Sequence, residues 1–189
     1  MYKRQDALPT AYAVSGGGSY CVGGNGVSVA LANSDLNIMY ELKKDGVATG
    51  KLLAGTGSAL SFNNIKDAGT YSIVATNLTT GCTATMTGSV AININPLPTA
   101  SIAGLATTYY ADEVAVAITG GHNNGVFSGT GVVDSTGGKG SFNPIIAGVG
   151  THQVIFEAIN ATTGCHAFDT AIVVVKPLVL VAADLQALI

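Results

Sequence analysis

The sequence predicts an all-β protein made of two tandem antiparallel β-sandwich domains. Three motifs occur twice in the same order: Leu-Pro-Thr-Ala at 8–11 and 97–100, Phe-Asn at 62–63 and 142–143, and Thr-Thr-Gly-Cys at 79–82 and 162–165. Tandem copies of a unit of roughly 80–90 residues form two small domains rather than one large domain. Each copy holds short alternating segments between Gly- and Asn-rich turns, and no segment shows a convincing 3.6-residue period.

The repeats also predict the domain boundaries. We assign residues 8–96 to the first domain and 97–177 to the second, with the two prolines of Asn-Pro-Leu-Pro at 95–98 stiffening the junction. Residues 178–189 do not continue the repeat and are interpreted as an unmatched tail or the start of a truncated next domain. Residues 1–7 are interpreted as artefactual or disordered, because residues 1–5 match the translation of a sequencing adapter.

The composition argues against several classes of function. Only 10% of the residues are charged, compared with about 25% in a typical soluble domain, and 25 residues are glycine. The net charge is −3, or −5 when Lys3 and Arg4 are left out, and the chain lacks the clustered basic residues of a nucleic-acid surface. The mean hydropathy of +0.44 is high, but charged residues and a proline interrupt the most apolar stretch, at 171–189. We therefore expect no membrane span.

Alternating apolar residues predict the strands of the first domain. Val27, Val29 and Leu31 alternate with small or polar residues, as in a half-buried strand. Asp45-Gly46 is the signal of a two-residue hairpin turn between two further strands. The predicted strands cover residues 27–31, 38–43, 47–53, 59–62, 70–76 and 84–94.

The second domain follows the same plan. Val114, Val116 and Ile118 alternate like the first strand of the first domain. The remaining predicted strands cover residues 125–127, 131–133, 140–142, 151–158 and 167–175. Short strands of this number, separated by tight turns, favour an antiparallel sandwich in each domain.

One motif carries a resemblance to a known family. Asp-Ala-Gly-Thr-Tyr at 67–71 resembles the Asp-x-Gly-x-Tyr signature of immunoglobulin-like domains. The resemblance implies a tyrosine corner formed by Asp67, Gly69 and Tyr71, in which the tyrosine hydroxyl bonds back across the turn. In the second domain His152 stands in the place of Tyr71, which makes that corner degenerate.

With the repeated Thr-Thr-Gly-Cys motif and Pro-Leu-Pro-Thr at 96–99, residues 8–178 resemble the immunoglobulin-like repeats of large, adhesin-like Bacteroidetes secreted and cell-surface proteins, many of which are exported by the type IX system. The resemblance implies an extracellular or cell-surface location and an oxidising compartment. It also implies a disulfide between Cys21 and Cys82 at the two edges of the first sandwich. Tyr109-Tyr110 aligns with Tyr20-Cys21, so Cys165 is expected to remain a buried free thiol.

The sequence shows no constellation that would carry chemistry. The three histidines lack metal-ligand spacing, and no nucleophile, base and orienting group can be assigned, so we expect no metal, no cofactor and no enzymatic activity. The expected function is a structural or adhesive segment that spaces or displays other modules, with neighbouring repeats and surface glycans or proteins as partners. The alternative is a carbohydrate- or protein-binding module accessory to a larger secreted enzyme, with Tyr109 and Tyr110 as candidate glycan-contact residues.

Overall fold

The computed structural model describes residues 7–178, which form two compact units that divide between Asn95 and Pro96. We call them domain 1 and domain 2. The interpretations of residues 1–6 and 179–189 lie outside the described residues.

Domain 1 is a sandwich of two β-sheets. Its described strands are β1 (Val14–Gly16), β2 (Gly18–Cys21), β3 (Val27–Leu31), β4 (Ile38–Lys44), β5 (Val47–Ala54), β6 (Leu60–Ile65), β7 (Gly69–Asn77), β8 (Thr83–Thr85) and β9 (Val90–Asn95). One sheet has the order β1-β3-β6, and the other has the order β2-β9-β7-β4-β5, with β8 added beside β7. Strand pairs are antiparallel except for β2 with β9.

Alternation along the strands places the core of domain 1 between these sheets. On β7, the side chains of Tyr71, Ile73 and Ala75 are buried, while the residues between them are partly exposed. They pack with apolar residues from the facing strands, including Leu31 and Phe62. The sequence pattern thus buries one face of β3, β4 and β7, as expected for a sandwich.

The first strand of domain 1 changes sheets at a glycine triplet. β1 pairs with β3 in one sheet, and β2 pairs with β9 in the other, so the chain must cross between the sheets at Gly17. Gly17 has a φ of 71°, and a Cβ there would lie 2.6 Å from the carbonyl oxygen of Ala91. Only glycine combines this backbone conformation with such a close approach.

Domain 2 is a second sandwich. Its described strands are β10 (Ile102–Ala103), β11 (Thr108–Tyr110), β12 (Val116–Gly120), β13 (Gly125–Ser128), β14 (Val132–Ser135), β15 (Lys139–Phe142), β16 (Gly150–Ile159) and β17 (His166–Lys176), with a one-turn helix α1 (Pro144–Ala147). The sheets have the orders β10-β12-β15-β14 and β11-β17-β16-β13. Its core includes Ile118, Phe142, Val154 and Phe156. The predicted all-β fold of two tandem immunoglobulin-like sandwiches is confirmed.

The two domains differ in the strand that follows β4 or β13. In domain 1, the Asp45-Gly46 turn returns the chain to the same sheet, so β5 pairs with β4. In domain 2, the chain leaves β13 and crosses to the other sheet, where β14 pairs with β15. Domain 1 therefore has five strands in the linear order of one sheet and only three strands in the other.

Some local predictions differ from the structure. The single strand predicted at 84–94 is divided into β8 and β9, because Met86 turns into the core and Gly88 has a φ of 85° between them. The first long strand of domain 2 begins at Val116, and Val114 is 77% exposed. Helix α1 is capped by Asn143, whose side-chain oxygen accepts from the N–H groups of Ile145 and Ile146. Within residues 7–178, no helix is long and apolar enough to cross a membrane.

Candidate functional site

The predicted corner motif of domain 1 closes around Tyr71. Its hydroxyl donates a 2.8 Å hydrogen bond to the carbonyl oxygen of Asp67, and Gly69 between them has a φ of 154°. Burial raises the pKa of the Tyr71 hydroxyl above its ordinary value of 10.0, and the carboxylates of Asp67 and Asp45 raise it further. The neutral phenol is thus held in place as a hydrogen-bond donor, which is a structural role.

His152 makes the matching contact in domain 2. Its Nε2 lies 2.7 Å from the carbonyl oxygen of Gly148, four residues upstream, just as Asp67 is four residues upstream of Tyr71. Because a carbonyl oxygen only accepts, Nε2 must carry the proton in this contact. The corner of domain 2 therefore keeps its hydrogen bond, although a histidine stands where domain 1 has a tyrosine.

The repeated Thr-Thr-Gly-Cys motif forms one type of turn in both domains. Asn77 Oδ1 accepts hydrogen bonds from the N–H groups of Thr79 and Thr80, at 2.9 and 3.1 Å. Asn160 Oδ1 accepts from the two equivalent threonines of domain 2 at 3.0 and 3.1 Å. The asparagine side chains thus hold the turns that precede Cys82 and Cys165.

The predicted disulfide between Cys21 and Cys82 is wrong. Cys82 carries a free thiol, whereas Cys21 is disulfide-bonded. Cys21, at the end of β2, lies beside β9, just beyond the residues of β9 that pair with the start of β7. Cys82 comes after the other end of β7. The nine residues of β7 separate the two ends by more than about 20 Å, far beyond the roughly 7 Å between Cα atoms that a disulfide allows.

The expectation of a free thiol at Cys165 is also wrong, because Cys165 is buried and disulfide-bonded. The expectation rested on Tyr110 replacing a partner cysteine within the same domain. Since the length of a strand prevents that pairing in domain 1, a tyrosine at the corresponding position of domain 2 carries no information about the state of Cys165.

The two tyrosines proposed as glycan contacts do not form one exposed patch. Tyr109 is only 5% exposed, its ring packs 5.5 Å from that of Phe142, and its hydroxyl accepts from the N–H of Ala106. Tyr110 points to the opposite face of β11 and is 44% exposed. Alternation along one short strand therefore leaves a single tyrosine of this pair available to a ligand.

Each histidine has a local partner. His122 Nδ1 accepts from the N–H of Asn124 at 3.1 Å, and His166 Nδ1 lies 2.6 Å from a carboxylate oxygen of Glu157 on the surface of domain 2. Among residues 7–178, no group of three or more His, Cys, Asp or Glu side chains could hold a metal ion.

A depression at one end of domain 2, lined by both polar and apolar groups, is the surface that sequence reasoning missed. Asn123 and Asn124 line one side of it, Asp134, Ser135 and Thr136 line another, and its volume is about 530 Å³. Val126, Ile159 and Ala161 add apolar contacts. Amides, hydroxyls and a carboxylate around apolar groups could hold a polar ligand by hydrogen bonds. Asn and Ser in a turn are also common for backbone reasons, so the sequence alone gave no signal.

Tyr110 lies away from this depression. It pairs with Lys176 at the end of β17, whereas Ile159 of the depression pairs with His166 at the start of that strand. The strand contains 11 residues, which span roughly 30 Å. The exposed tyrosine and the depression therefore cannot contact one small ligand.

Comparisons with known proteins find similar solved structures. No family model matches the chain, and no curated protein matches it. The chain is similar to fibronectin(III)-like modules of CbhA from Clostridium thermocellum, at 13% identity and a TM-score of 0.39, over 85% of this chain and 90% of that one.

Two further similar structures contain immunoglobulin or ligand-binding domains. Immunoglobulin domains 1–4 of Sidekick-1 are 15% identical with a TM-score of 0.39; 93% of this chain is covered, and it spans about half, 51%, of that one. The human OSCAR ligand-binding domain is 13% identical with a TM-score of 0.37, over 89% of this chain and 100% of that one. At these identities and TM-scores, the comparisons assign neither a family nor an activity to the chain.

Proposed function

We propose that the chain is a structural and adhesive segment of a secreted or surface-anchored bacterial protein, in which the two domains act as a spacer or display module. The observation that carries the proposal is that each domain closes its own core. The buried cluster of domain 1 draws only on residues before the linker, and that of domain 2 only on residues after it. Units that are complete in themselves can be repeated along a chain to set a distance.

The repeated turns and corners support the same proposal. Asn77 and Asn160 hold equivalent turns, and Tyr71 and His152 hold equivalent corners. The side-chain hydrogen bonds that the two domains share therefore stabilise the fold. Disulfide-bonded cysteines are typical of extracellular domains, which fits an extracellular location. Neighbouring repeats and surface glycans or proteins are the proposed partners.

Mechanical unfolding of single molecules tests the spacer proposal. The chain is pulled from its ends under reducing conditions, so that only the folds resist the force. We expect two separate unfolding steps, each gaining roughly 250 Å for about 80 residues at 3.6 Å per residue. One cooperative step that releases both domains would contradict independent spacer units.

The depression of domain 2 favours a second candidate function, a carbohydrate- or protein-binding module accessory to a larger secreted enzyme. Its asparagine, aspartate and hydroxyl side chains offer both donors and acceptors. A glycan array probed with the fluorescently labelled chain tests this candidate. Saturable binding that Asn123→Ala abolishes would support it, while binding unaffected by that substitution, or no binding, would leave the spacer proposal in place.

A further inference from the structure

The open side of domain 1 lies between β5 and β6. β5 ends one sheet and β6 ends the other, and among residues 7–178 no other strand pairs with the outer edge of either. Two grooves of about 370 and 280 Å³ follow this side. The first lies between residues 50–53 and residues 61–63, and the second is lined by residues 64–67 together with Thr49 and Lys51.

Domain 2 fills the equivalent place with its own strand. The shared Phe-Asn motif equates β6 with β15, and β14 pairs antiparallel with the outer edge of β15. Asp134 on β14 also accepts a 2.7 Å hydrogen bond from the N–H of Phe127 on the edge strand β13. A strand at this position therefore pairs with one sheet, and its carboxylate satisfies a backbone donor of the other.

The outer edge of β6 in domain 1 presents backbone groups for the same pairing. In an antiparallel sheet, successive residues bond to opposite neighbours. The N–H of Gly17 donates to the carbonyl oxygen of Ser28, so Ser28 bonds toward β1 and Val29 bonds toward its partner Phe62. Ser61, adjacent to Phe62, consequently directs its N–H and C=O toward the open side, where an added strand would meet them.

The charged residues around the grooves indicate which charge a strand bound there should carry. Lys51 and Lys66 are exposed and line the grooves, with Asp67 as the acidic residue beside them. Lys43 and Lys44 on β4 complete the basic residues of domain 1 within the described part of the chain. Of these lysines, Lys51 and Lys66 border the open side, whereas β4 lies between β7 and β5. With the single carboxylate of Asp67 they leave one excess positive charge along the grooves, which favours an acidic partner.

We propose that the open side of domain 1 binds an extended acidic peptide segment of a partner protein, which pairs with β6 in the manner of β14 with β15. Alternating apolar side chains of the segment enter the grooves beside Leu53 and Phe62, and its carboxylates meet Lys51 and Lys66. This interaction surface is additional to the proposed spacer function and does not depend on it.

The bulge in β5 limits where the partner can pair. Gly50 has a φ of 74°, and the register of β5 against β4 shifts between Lys43 and Glu41. Bulges and lysines on an edge strand oppose continuous pairing along it. The incoming strand is therefore assigned to the edge of β6, with β5 supplying the side of the groove.

The test is a titration of the full chain, labelled with ¹⁵N, with the synthetic peptide Thr-Val-Asp-Val-Asp-Val-Thr. We expect saturable amide shifts confined to β5 and β6, and binding that weakens as salt rises from 50 to 500 mM. The matched probe with lysine in place of aspartate should bind at least about tenfold more weakly. Equal binding of the two peptides, shifts located elsewhere, or no binding up to about 1 mM would overturn the proposal.

Variants separate backbone pairing from charge. Ser61→Pro removes the outward N–H and should abolish binding, while Ser61→Ala keeps it and should bind like the original chain. Should Ser61→Pro fail to fold, the double variant Lys51→Glu, Lys66→Glu still tests the proposal, with an expected loss of at least about tenfold. Lys139→Glu, on the paired strand β15, is the control and should leave affinity unchanged. Concentration-dependent shifts at β5 and β6 without peptide would instead indicate a second copy of the chain as occupant and overturn the peptide proposal.

Discussion

Tyr71 and His152 are equivalent residues that make the same hydrogen bond with different chemistry. The hydroxyl of Tyr71 and the Nε2 of His152 each bond to the carbonyl oxygen of the residue four positions upstream, at 2.8 and 2.7 Å. The corner therefore depends on a donor at a fixed distance from the backbone rather than on a phenol. A side chain that keeps the ring and loses the donor should weaken it.

Tyr71→Phe and His152→Phe should each lower the free energy of unfolding of their own domain by about 1 kcal/mol, the usual net contribution of one hydrogen bond. His152→Tyr, which restores a donor, is the control and should cost less than His152→Phe. Urea unfolding followed by amide NMR signals of each domain measures these values. An unchanged stability in both phenylalanine variants would show that the corner bond is not stabilising.

Alkaline pH should destabilise domain 1. Burial raises the pKa values of Tyr40 and Tyr71, and a hydrogen bond to Asp35 raises that of Tyr12. A folded-state pKa above the unfolded value of 10.0 means that the unfolded chain ionises first. The stability from these groups is therefore complete below about pH 10 and is lost as the pH rises through the folded values.

Urea unfolding of domain 1 at pH 8 and pH 11 tests this dependence, with tyrosine ionisation followed by absorbance. We expect a lower free energy of unfolding at pH 11, and a smaller decrease in Tyr71→Phe, which lacks one of the titrating groups. Equal stability at the two pH values would contradict the raised pKa values.

The asparagines before the Thr-Thr-Gly-Cys motifs should be important for stability. Asn77→Ala removes the acceptor of two backbone N–H groups, and we expect a loss of about 1–2 kcal/mol in domain 1. Asn160→Ala should have a similar effect in domain 2. Asn77→Asp keeps a side-chain oxygen at this position and is the matched control, expected to retain most of the stability in urea unfolding. Loss of equal size in Asn77→Asp would mean that the amide nitrogen, not the oxygen, is needed.

The sequence predicted the sandwiches well because their signals are local. The alternation of β3 and the Asp45-Gly46 hairpin depend on neighbouring residues alone, and both lie where they were predicted. The disulfide prediction failed because it required knowing which ends of the strands face each other, and the length of β7 separates Cys21 from Cys82. The Asp45-Gly46 turn is the local signal that returns the chain beside β4, whereas the crossing of the chain after β13 to the other sheet has no such signal.

Two glycines make room for the buried ring of Phe156 in the core of domain 2. A Cβ at Gly120 would lie 2.1 Å from Cζ of Phe156, and one at Gly125 would lie 2.2 Å from the same atom. Gly125→Ala should destabilise domain 2 by about 1–3 kcal/mol, because the ring cannot move away within a packed core. Gly121→Ala is the control with a smaller expected cost, since the one atom closer than 3 Å to its new Cβ would be the hydroxyl oxygen of Ser101, at 2.3 Å, which can rotate away.

A double-mutant cycle with Phe156→Leu assigns the cost of Gly125→Ala to this contact. Phe156→Leu removes part of the ring volume, so Gly125→Ala should cost less in that background, and the two changes should not be additive. Thermal and urea unfolding of the four proteins provide the cycle. Full additivity would place the strain of Gly125→Ala somewhere other than at the ring.

The cysteines differ in a way that chemical labelling can measure. Cys82 is a partly exposed free thiol, while Cys21 and Cys165 are disulfide-bonded. Iodoacetamide should therefore add one label to each folded, unreduced chain, located at Cys82 by peptide mapping. Cys82→Ser should abolish the label, and prior reduction and unfolding of the original chain should raise it to three. A label on Cys21 or Cys165 in the unreduced protein would contradict their assigned state, because a sulfur held in a disulfide is not available for alkylation.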